Sequence, residues 1–390
     1  MSTPITPTDE AGIIAAVQAA RIAREPLAIE GQGSKRGLLR PARAARSLST
    51  RALTGVTLYR PAELIISARA GTPLIEIEAT LAEKGQQLIA EAPYLNGVFG
   101  TSAPPSIGGV VAANLSGPRR IAWGATRDHV MGLRFINGAG EAIRSGGRVL
   151  KNVTGLDLCK LLSGSYGTLG VITEVTLKVL PAPETSATLL IETPDLASAV
   201  AALSAGLGSP FGVSAAAALP AQDHAVAALR LEDFAASVAY RMEKLRSVLD
   251  DFGTQRVLEN GESRSFWRNV REVEPLNTSA DEAIWRVSVR PSAGPRIATA
   301  ASAIGGRVLL DWGGWLVWIA AEPSIANYAA ISAAAAAAGG ATMLFRAPEL
   351  LRLAVPIFPA ESAPLAKISA RVKEALDPGG LFNPGHLRAA

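Results

Sequence analysis

Three clusters of small and polar residues in this chain have the makings of a ligand site. The first is Gly31-Gln32-Gly33-Ser34-Lys35, directly after the apolar run Leu27-Ala28-Ile29. Glycine lets the main chain approach an anion closely and take positive φ. Several N–H groups can then converge on a phosphate, with Lys35 adding charge. The run is neither a Walker loop nor a full G-x-G-x-x-G, and the same residues also make an ordinary turn. The second cluster, Pro104-Pro105-Ser106-Ile107-Gly108-Gly109, leads into Ala112, Ala113, Asn114, Ser116 and Gly117. Small residues where a helix opens permit close contact with a flat or extended ligand, and a helix start favours an anion. Tight helix packing asks for the same residues. The third is Lys151-Asn152-Val153-Thr154-Gly155, followed by Gly164-Ser165-Tyr166-Gly167-Thr168-Leu169-Gly170-Val171-Ile172. Its glycines sit just before a strand and can expose backbone groups to a heteroaromatic edge, or simply turn the chain.

Other chemistry is poorly supplied. The only histidines are His129, His224 and His386, and the only cysteine is Cys159. Neither metal-ligand spacing nor an intrachain disulfide is available, and the lone thiol fits a reducing compartment. His129 reads as a structural hydrogen-bonder and Cys159 as a small core residue. His386, close to Phe382-Asn383-Pro384-Gly385, is placed to approach whatever the glycines hold.

The elements that would position these clusters alternate. A helix is expected over residues 8–24, capped by Thr8 and ended by Pro26, with Ile13, Val17 and Ala20 on one face. Strands follow at 27–29, 56–59 and 64–69. Thr72 and Pro73 open a helix that stops at Gly85. A small-residue helix spans 107–114. Strands at 130–136 and 142–144 are joined by an Asn137-Gly138 turn, and a helix covers 156–162. The run 170–180 alternates as a half-buried strand. Pro181 and Pro183 mark a boundary. Beyond it, alanine-rich helices (196–206, 232–251, 324–338) separate apolar runs at 189–191, 287–289 and 316–320. That order predicts an antiparallel sheet with helices on one face. A helix near 362–376 precedes the Asp377–Gly385 turn.

A net charge of +4 is a weak field for 390 residues. The series Arg40, Arg43, Arg46, Arg51 comes without any recognition motif, so no nucleic-acid partner is expected. Residues 1–10 lack the basic and apolar regions of a secretory signal. The alanine run 329–338 is far shorter than the ~20 residues of a membrane span. A cytoplasmic location is expected, with membrane association only through partners.

Taken together, GQGSK, PPSIGGVVAANLSGPRR, KNVTGLDLCKLLSGSYGTLGVITEVTLKVLP and FNPG resemble the FAD-binding domain of the para-cresol methylhydroxylase (PCMH) and vanillyl-alcohol oxidase superfamily. EGQGSKRGLLRP, ELIISARAGTPL, SGPRR, GSYGTLG, LDWGGW and LDPGGLFNPG resemble, more narrowly, the FAD-binding E subunits of bacterial glycolate oxidase. The resemblance is strong over 26–183 and at the C-terminus and weak over 190–280. It implies an α+β fold: a two-part PCMH-type FAD-binding domain (1–183, with 346–390 returning to it) plus a cap domain (184–345) with an antiparallel sheet and helices. It implies non-covalent FAD, with the diphosphate on Gly31, Gln32, Gly33, Ser34 and Lys35. Pro105, Ser106, Gly108, Gly109, Ala112, Asn114 and Gly117 would line the other side, and Gly167, Gly170, Val171 and Ile172 would present backbone. Tyr166 stands where the wider superfamily usually has an acidic residue.

The implied activity is flavin-mediated oxidation of glycolate, a small 2-hydroxy acid, to glyoxylate. It would occur in a complex with a catalytic flavoprotein paralogue and an iron–sulfur subunit. One departure matters. Related catalytic flavoproteins carry a His…Asp-Gly-Asn…His element, whereas this chain has Leu310-Asp311-Trp312-Gly313-Gly314-Trp315 in that region, so no catalytic residue is assigned. A stand-alone oxidase of another small hydroxy acid or alcohol, and a catalytically silent scaffold for a paralogue, remain as alternatives. Arg119-Arg120 and the stretch 312–318 are the expected subunit contacts.

Overall fold

The computed structural model describes residues 4–147 and 156–388. Helix α1 (Glu10–Ala23) is capped by Asp9, not Thr8. The Asp9 carboxylate accepts the Gly12 N–H at 2.8 Å, and Arg24 in the left-handed region closes the helix before Pro26. Strands β1 (Leu27–Glu30) and β2 (Arg46–Ser49) form a parallel pair. Next come β3 (Val56–Arg60), β4 (Ile65–Arg69), α2 (Leu74–Ala82) and β5 (Gln86–Leu88). The N-cap of α2 is Pro73. The Thr72 hydroxyl donates to the Arg69 carbonyl and accepts the Gly55 N–H, so it ties the preceding loop rather than the helix. Helices α3 (Asn96–Phe99), α4 (Ile107–Ala113) and α5 (Arg120–Trp123) lead to β6 (Val130–Ile136) and β7 (Ala142–Gly146).

Asn137-Gly138 does not turn the β6–β7 hairpin alone. Its loop runs to Glu141, with Asn137 Oδ1 accepting two N–H groups and Gly140 taking positive φ. After α6 (Leu158–Leu162), the long strand β8 (Val171–Pro181) completes a sheet in the order β3-β4-β8-β6-β7, with β5 also on β8. β8 is covered on both faces, not one. Val171 packs with Ile13 and Val17 of α1, and Ile172 joins the core beneath α2 and α4.

The remainder is built on β9 (Thr185–Thr193), α7 (Leu196–Gly208), β10 (Ala215–Pro220), β11 (Ala225–Asp233), α8 (Ala235–Val248), β12 (Thr254–Glu259) and α9 (Asn260–Arg271). It continues through β13 (Ala283–Ser288), α10 (Gly294–Ser302), β14 (Arg307–Asp311), β15 (Leu316–Ala321), α11 (Ile325–Ala337) and β16 (Ala341–Arg346). The eight strands form one antiparallel sheet, β12-β9-β11-β10-β14-β15-β13-β16. Helices do not keep to one face. Gly206 of α7 abuts Leu229, whereas Trp267 of α9 donates to Thr188, whose strand neighbour is Arg230, on the opposite face. That opposite face looks onto the first sheet.

Helices α12 (Glu349–Ala354) and α13 (Ala363–Leu376) precede the tail. The tail returns to β1: Leu27 N–H donates to Leu381 O, Asn383 N–H donates to Leu27 O, and Leu381 and Phe382 join the α1 core. Among the described residues no helix is long and apolar enough to cross a membrane.

Candidate cofactor site

β1 ends at Glu30, and the chain leaves its parallel pairing at Gly31. From Gly31 to Lys35 no backbone N–H finds an acceptor among the described residues. Buried or half-buried donors left this way are costly without a ligand. The loop is nevertheless held in place. Ser49 Oγ donates to Gly31 O at 2.7 Å, Gln32 Nε2 donates to Gly71 O at 2.9 Å, and Gly33 takes φ +75°. A Cβ on Gly31 would lie 2.1 Å from Ser106 Oγ, so the first cluster lies directly against the second.

Ser106 caps α4 by accepting the Gly109 N–H at 3.3 Å. That helix has seven residues, so the cap occupies one of its few free donors and weakens the anion argument made from the helix start. Gly108 approaches Ala70, where a Cβ would be 2.7 Å away, and this lets α4 sit against the end of β4.

The segments enclose a cleft of about 790 Å³, in the upper part of the ~300–1,000 Å³ usual for small-molecule sites. Gly31, Gln32, Gly33, Ser34, Lys35, Pro105, Ser106, Gly108, Gly109, Ala112, Gly167, Gly170 and Ile172 all line it. Three expected residues lie outside the lining. Asn114 ends α4 at φ +49°, with its Oδ1 accepting the Arg127 N–H. Gly117 passes within van der Waals reach of the Glu91 backbone, and its carbonyl accepts the Trp312 indole N–H at 3.1 Å. Val171 is buried in the α1 core. Lys151–Gly155 fall outside the described residues.

The cleft also takes in residues that glycine motifs do not signal. Asn383 accepts the Ile29 N–H at 2.7 Å and donates to Tyr166 O at 2.9 Å, joining tail, β1 and the 164–170 turn. Tyr166 takes φ +52°, and its ring packs on Phe358. His386 reaches the lining, and its Nδ1 bonds the Arg40 carbonyl. A carbonyl only accepts, so the proton sits on Nδ1. Burial holds this imidazole below its ordinary pKa, against the Arg40 carbonyl contact. The Lys35 side chain makes no hydrogen bond or ion pair with a described residue. Burial pushes it down to about 8, with Glu272 opposing.

Of the arginine series, Arg43, Arg46 and Arg51 are exposed and Arg40 is not. Arg40 is buried and donates to the carbonyls of Val355 and Leu353. The expected contact residue Arg119 is internal too, paired with Glu232 at 2.6 Å. Arg230 bonds Glu91 at 2.9 Å and lies 3.2 Å from Glu232. This four-charge cluster joins the two sheets. Burial alone would raise Glu91, but the Arg230 and Arg119 guanidiniums outweigh it and hold the carboxyl at about 2. In the stretch 312–318, Trp312 and Trp318 are buried and Trp315 is exposed, so only a small part could meet a partner. Cys159 is buried, with its thiol against Ser145 O. His129 is half-buried, with Nε2 sealed and unpartnered.

An FAD binding domain family model matches residues 3–146. The chain is 38% identical to the glycolate oxidase subunit GlcE of Escherichia coli over 366 residues, 94% of this chain and 93% of that protein. It is 47% identical to the glycolate oxidase subunit GlcD of Bacillus subtilis over 85 residues, 22% of this chain and 18% of that one. An alkyldihydroxyacetonephosphate synthase structure superposes with a TM-score of 0.73 over 97% of this chain and 75% of its own, at 17% identity, a likeness of fold alone.

Proposed function

The chain belongs to the family of the glycolate oxidase subunit GlcE, and from that premise we propose that it is the FAD-binding subunit of a complex oxidising glycolate to glyoxylate. The observation that carries the reading is the run of N–H groups from Gly31 to Lys35 left unpaired among the described residues, beside a half-buried lysine whose side chain has no partner among them. A diphosphate is the ligand that satisfies both. In this assignment Pro105, Ser106, Gly108, Gly109 and Ala112 form the facing wall, and Gly167, Gly170 and Ile172 offer backbone edges. Asn114, Gly117 and Val171 support that wall from behind. FAD, when bound, supplies a two-electron acceptor; the chain's own residues position it and exclude water.

The division proposed is an FAD part, 1–183 with 346–390, and a cap, 184–345. The proposed partners are a catalytic flavoprotein paralogue and an iron–sulfur subunit, with the complex in the cytoplasm and any membrane contact made through partners. FAD is held without a covalent bond. Cys159 is buried away from the cleft, and His386 is engaged at Nδ1 by Arg40. The purified chain should be yellow with stoichiometric flavin, and acid precipitation should release all of it. A chain that stays colourless after incubation with FAD removes the assignment; colour that stays with the precipitate removes only its non-covalent part.

A further inference from the structure

On the cap sheet, the pairings Leu309 with Trp318, Asp311 with Leu316 and Trp318 with Arg286 put Asp311, Trp318 and Arg286 on one face. Strand alternation carried through Ala218–Leu310 and across β10 and β11 makes this the face that bears Arg230, turned toward the first sheet. Buried arginines elsewhere have acceptors. Arg230 has Glu91, Arg119 has Glu232, Arg352 has Leu39 O, and Arg346 has the carbonyls of Val98 and Glu282. Arg286 has none. Its side chain makes no hydrogen bond or ion pair with any described residue, and its Nε is sealed without a partner. Its surroundings are rings: Trp318 at 4.9 Å, Trp312 at 5.7 Å and Phe345 at 5.7 Å. The side chain is nonetheless only half-buried, and its Nη groups, unlike Nε, are not sealed.

We infer that Arg286 is the anion receptor of a site on the cap-sheet face turned toward the FAD part, one that takes a small monocarboxylate. A single guanidinium matches one carboxylate in charge and in its two-pronged geometry. The aromatic walls exclude water, which strengthens that pair. A half-buried cation without a full counterion is otherwise costly, and burial, with Arg120 adding to it, has already pulled Arg286 down to about 10, against Tyr166, the residue that also lines the cleft. Asp311 neutralises it only in part. Burial pushes that carboxyl up to about 7, so near neutrality it retains much of its proton and can donate to a ligand oxygen. The inference rests on the proposed function for the choice of glycolate as the probe.

The test is equilibrium dialysis of labelled glycolate against the full chain, with inorganic phosphate in a parallel titration and flavin content measured separately. Saturable glycolate binding is expected, with phosphate weaker. Arg286→Met should weaken glycolate by tenfold or more, and Arg286→Lys should retain part of the affinity. The Arg286→Met protein should melt close to the wild type, because the ring contacts it loses are offset by removal of a cation that has no counterion. Absence of saturable binding by the wild type overturns the inference. So does unchanged affinity in both variants, equal affinity for phosphate, or a large loss of melting temperature in Arg286→Met. Flavin bound without glycolate binding sinks this inference alone; glycolate bound through Arg286 without flavin sinks the proposed function alone.

Discussion

Gly33 takes φ +75°, a backbone region that costs other residues roughly 1–2 kcal/mol. Its position among the unpaired N–H groups makes it the most sensitive point of the loop. Gly33→Asp should abolish FAD binding, because a side chain is strained at this positive φ and its Cβ would press on the Arg36 guanidinium at 3.1 Å, displacing the loop. Flavin absorbance per chain checks this, and a variant that copurifies with full flavin would show the cofactor to be elsewhere. Asp311 gives a pH prediction. Its folded value of about 7 exceeds the ~3.9 of an unfolded aspartate. Between those values the folded chain keeps a proton that the unfolded chain releases. This contribution is therefore whole below about pH 4 and is lost as pH rises through about 7, at most roughly 4 kcal/mol. Asp311→Asn keeps an acceptor for the Trp312 N–H. It should flatten the dependence of melting temperature on pH between about 5 and 8 and be the more stable protein at the upper end.

At the scale of elements, the period-2 and period-3.6 patterns made β8, α1 and α4 legible in the sequence, together with the glycine loops between them. Caps moved by one residue where two side chains competed, as at Thr8 and Asp9. Strand β10 is Ala215-Ala216-Ala217-Ala218-Leu219-Pro220, a composition that reads as helix and becomes strand only because β11 and β14 flank it. Helix α9 is polar over most of its length, but Ser263, Trp267 and Val270 recur at helical spacing and could have revealed it. The cluster of Glu91, Arg119, Arg230 and Glu232 had no local signal, since its members meet only when two sheets pack. Its rupture should be severe. Glu232→Gln leaves two buried guanidiniums undercompensated and should cost ~3–5 kcal/mol in a denaturant titration. Asn383→Ala, which frees the tail from Ile29 and Tyr166, should cost a smaller ~1–3 kcal/mol and loosen flavin retention. An unchanged flavin affinity there would separate the tail from the site.

For the whole molecule the decisive question is whether this chain oxidises glycolate by itself. Removing the substrate hydroxyl proton needs a positioned base, and general base catalysis is typically worth ~10²–10⁴-fold in rate. The described structure offers no histidine pair for that task. His129 is half-buried beside β6 with its Nε2 sealed, His224 lies in the loop between β10 and β11, and His386 is tied to Arg40. Asp311 keeps much of its proton near neutrality, and when it does ionise its Oδ1 accepts the Trp312 N–H. A carboxyl titrating near neutrality has the pKa of a good general base, so what disfavours Asp311 is its position: it is buried and does not line the cleft. The chain alone should therefore bind substrate far better than it oxidises it. Anaerobic mixing of the FAD-loaded chain with glycolate should show little or no bleaching over seconds, and the purified partner subunits should bring fast reduction. The same mixing with Asp311→Asn separates the remaining possibility. If the chain alone bleaches rapidly and this variant does not, Asp311 is the base and the protein is an oxidase in its own right. If rapid bleaching survives the substitution, the proton leaves by a route that none of these four side chains provides.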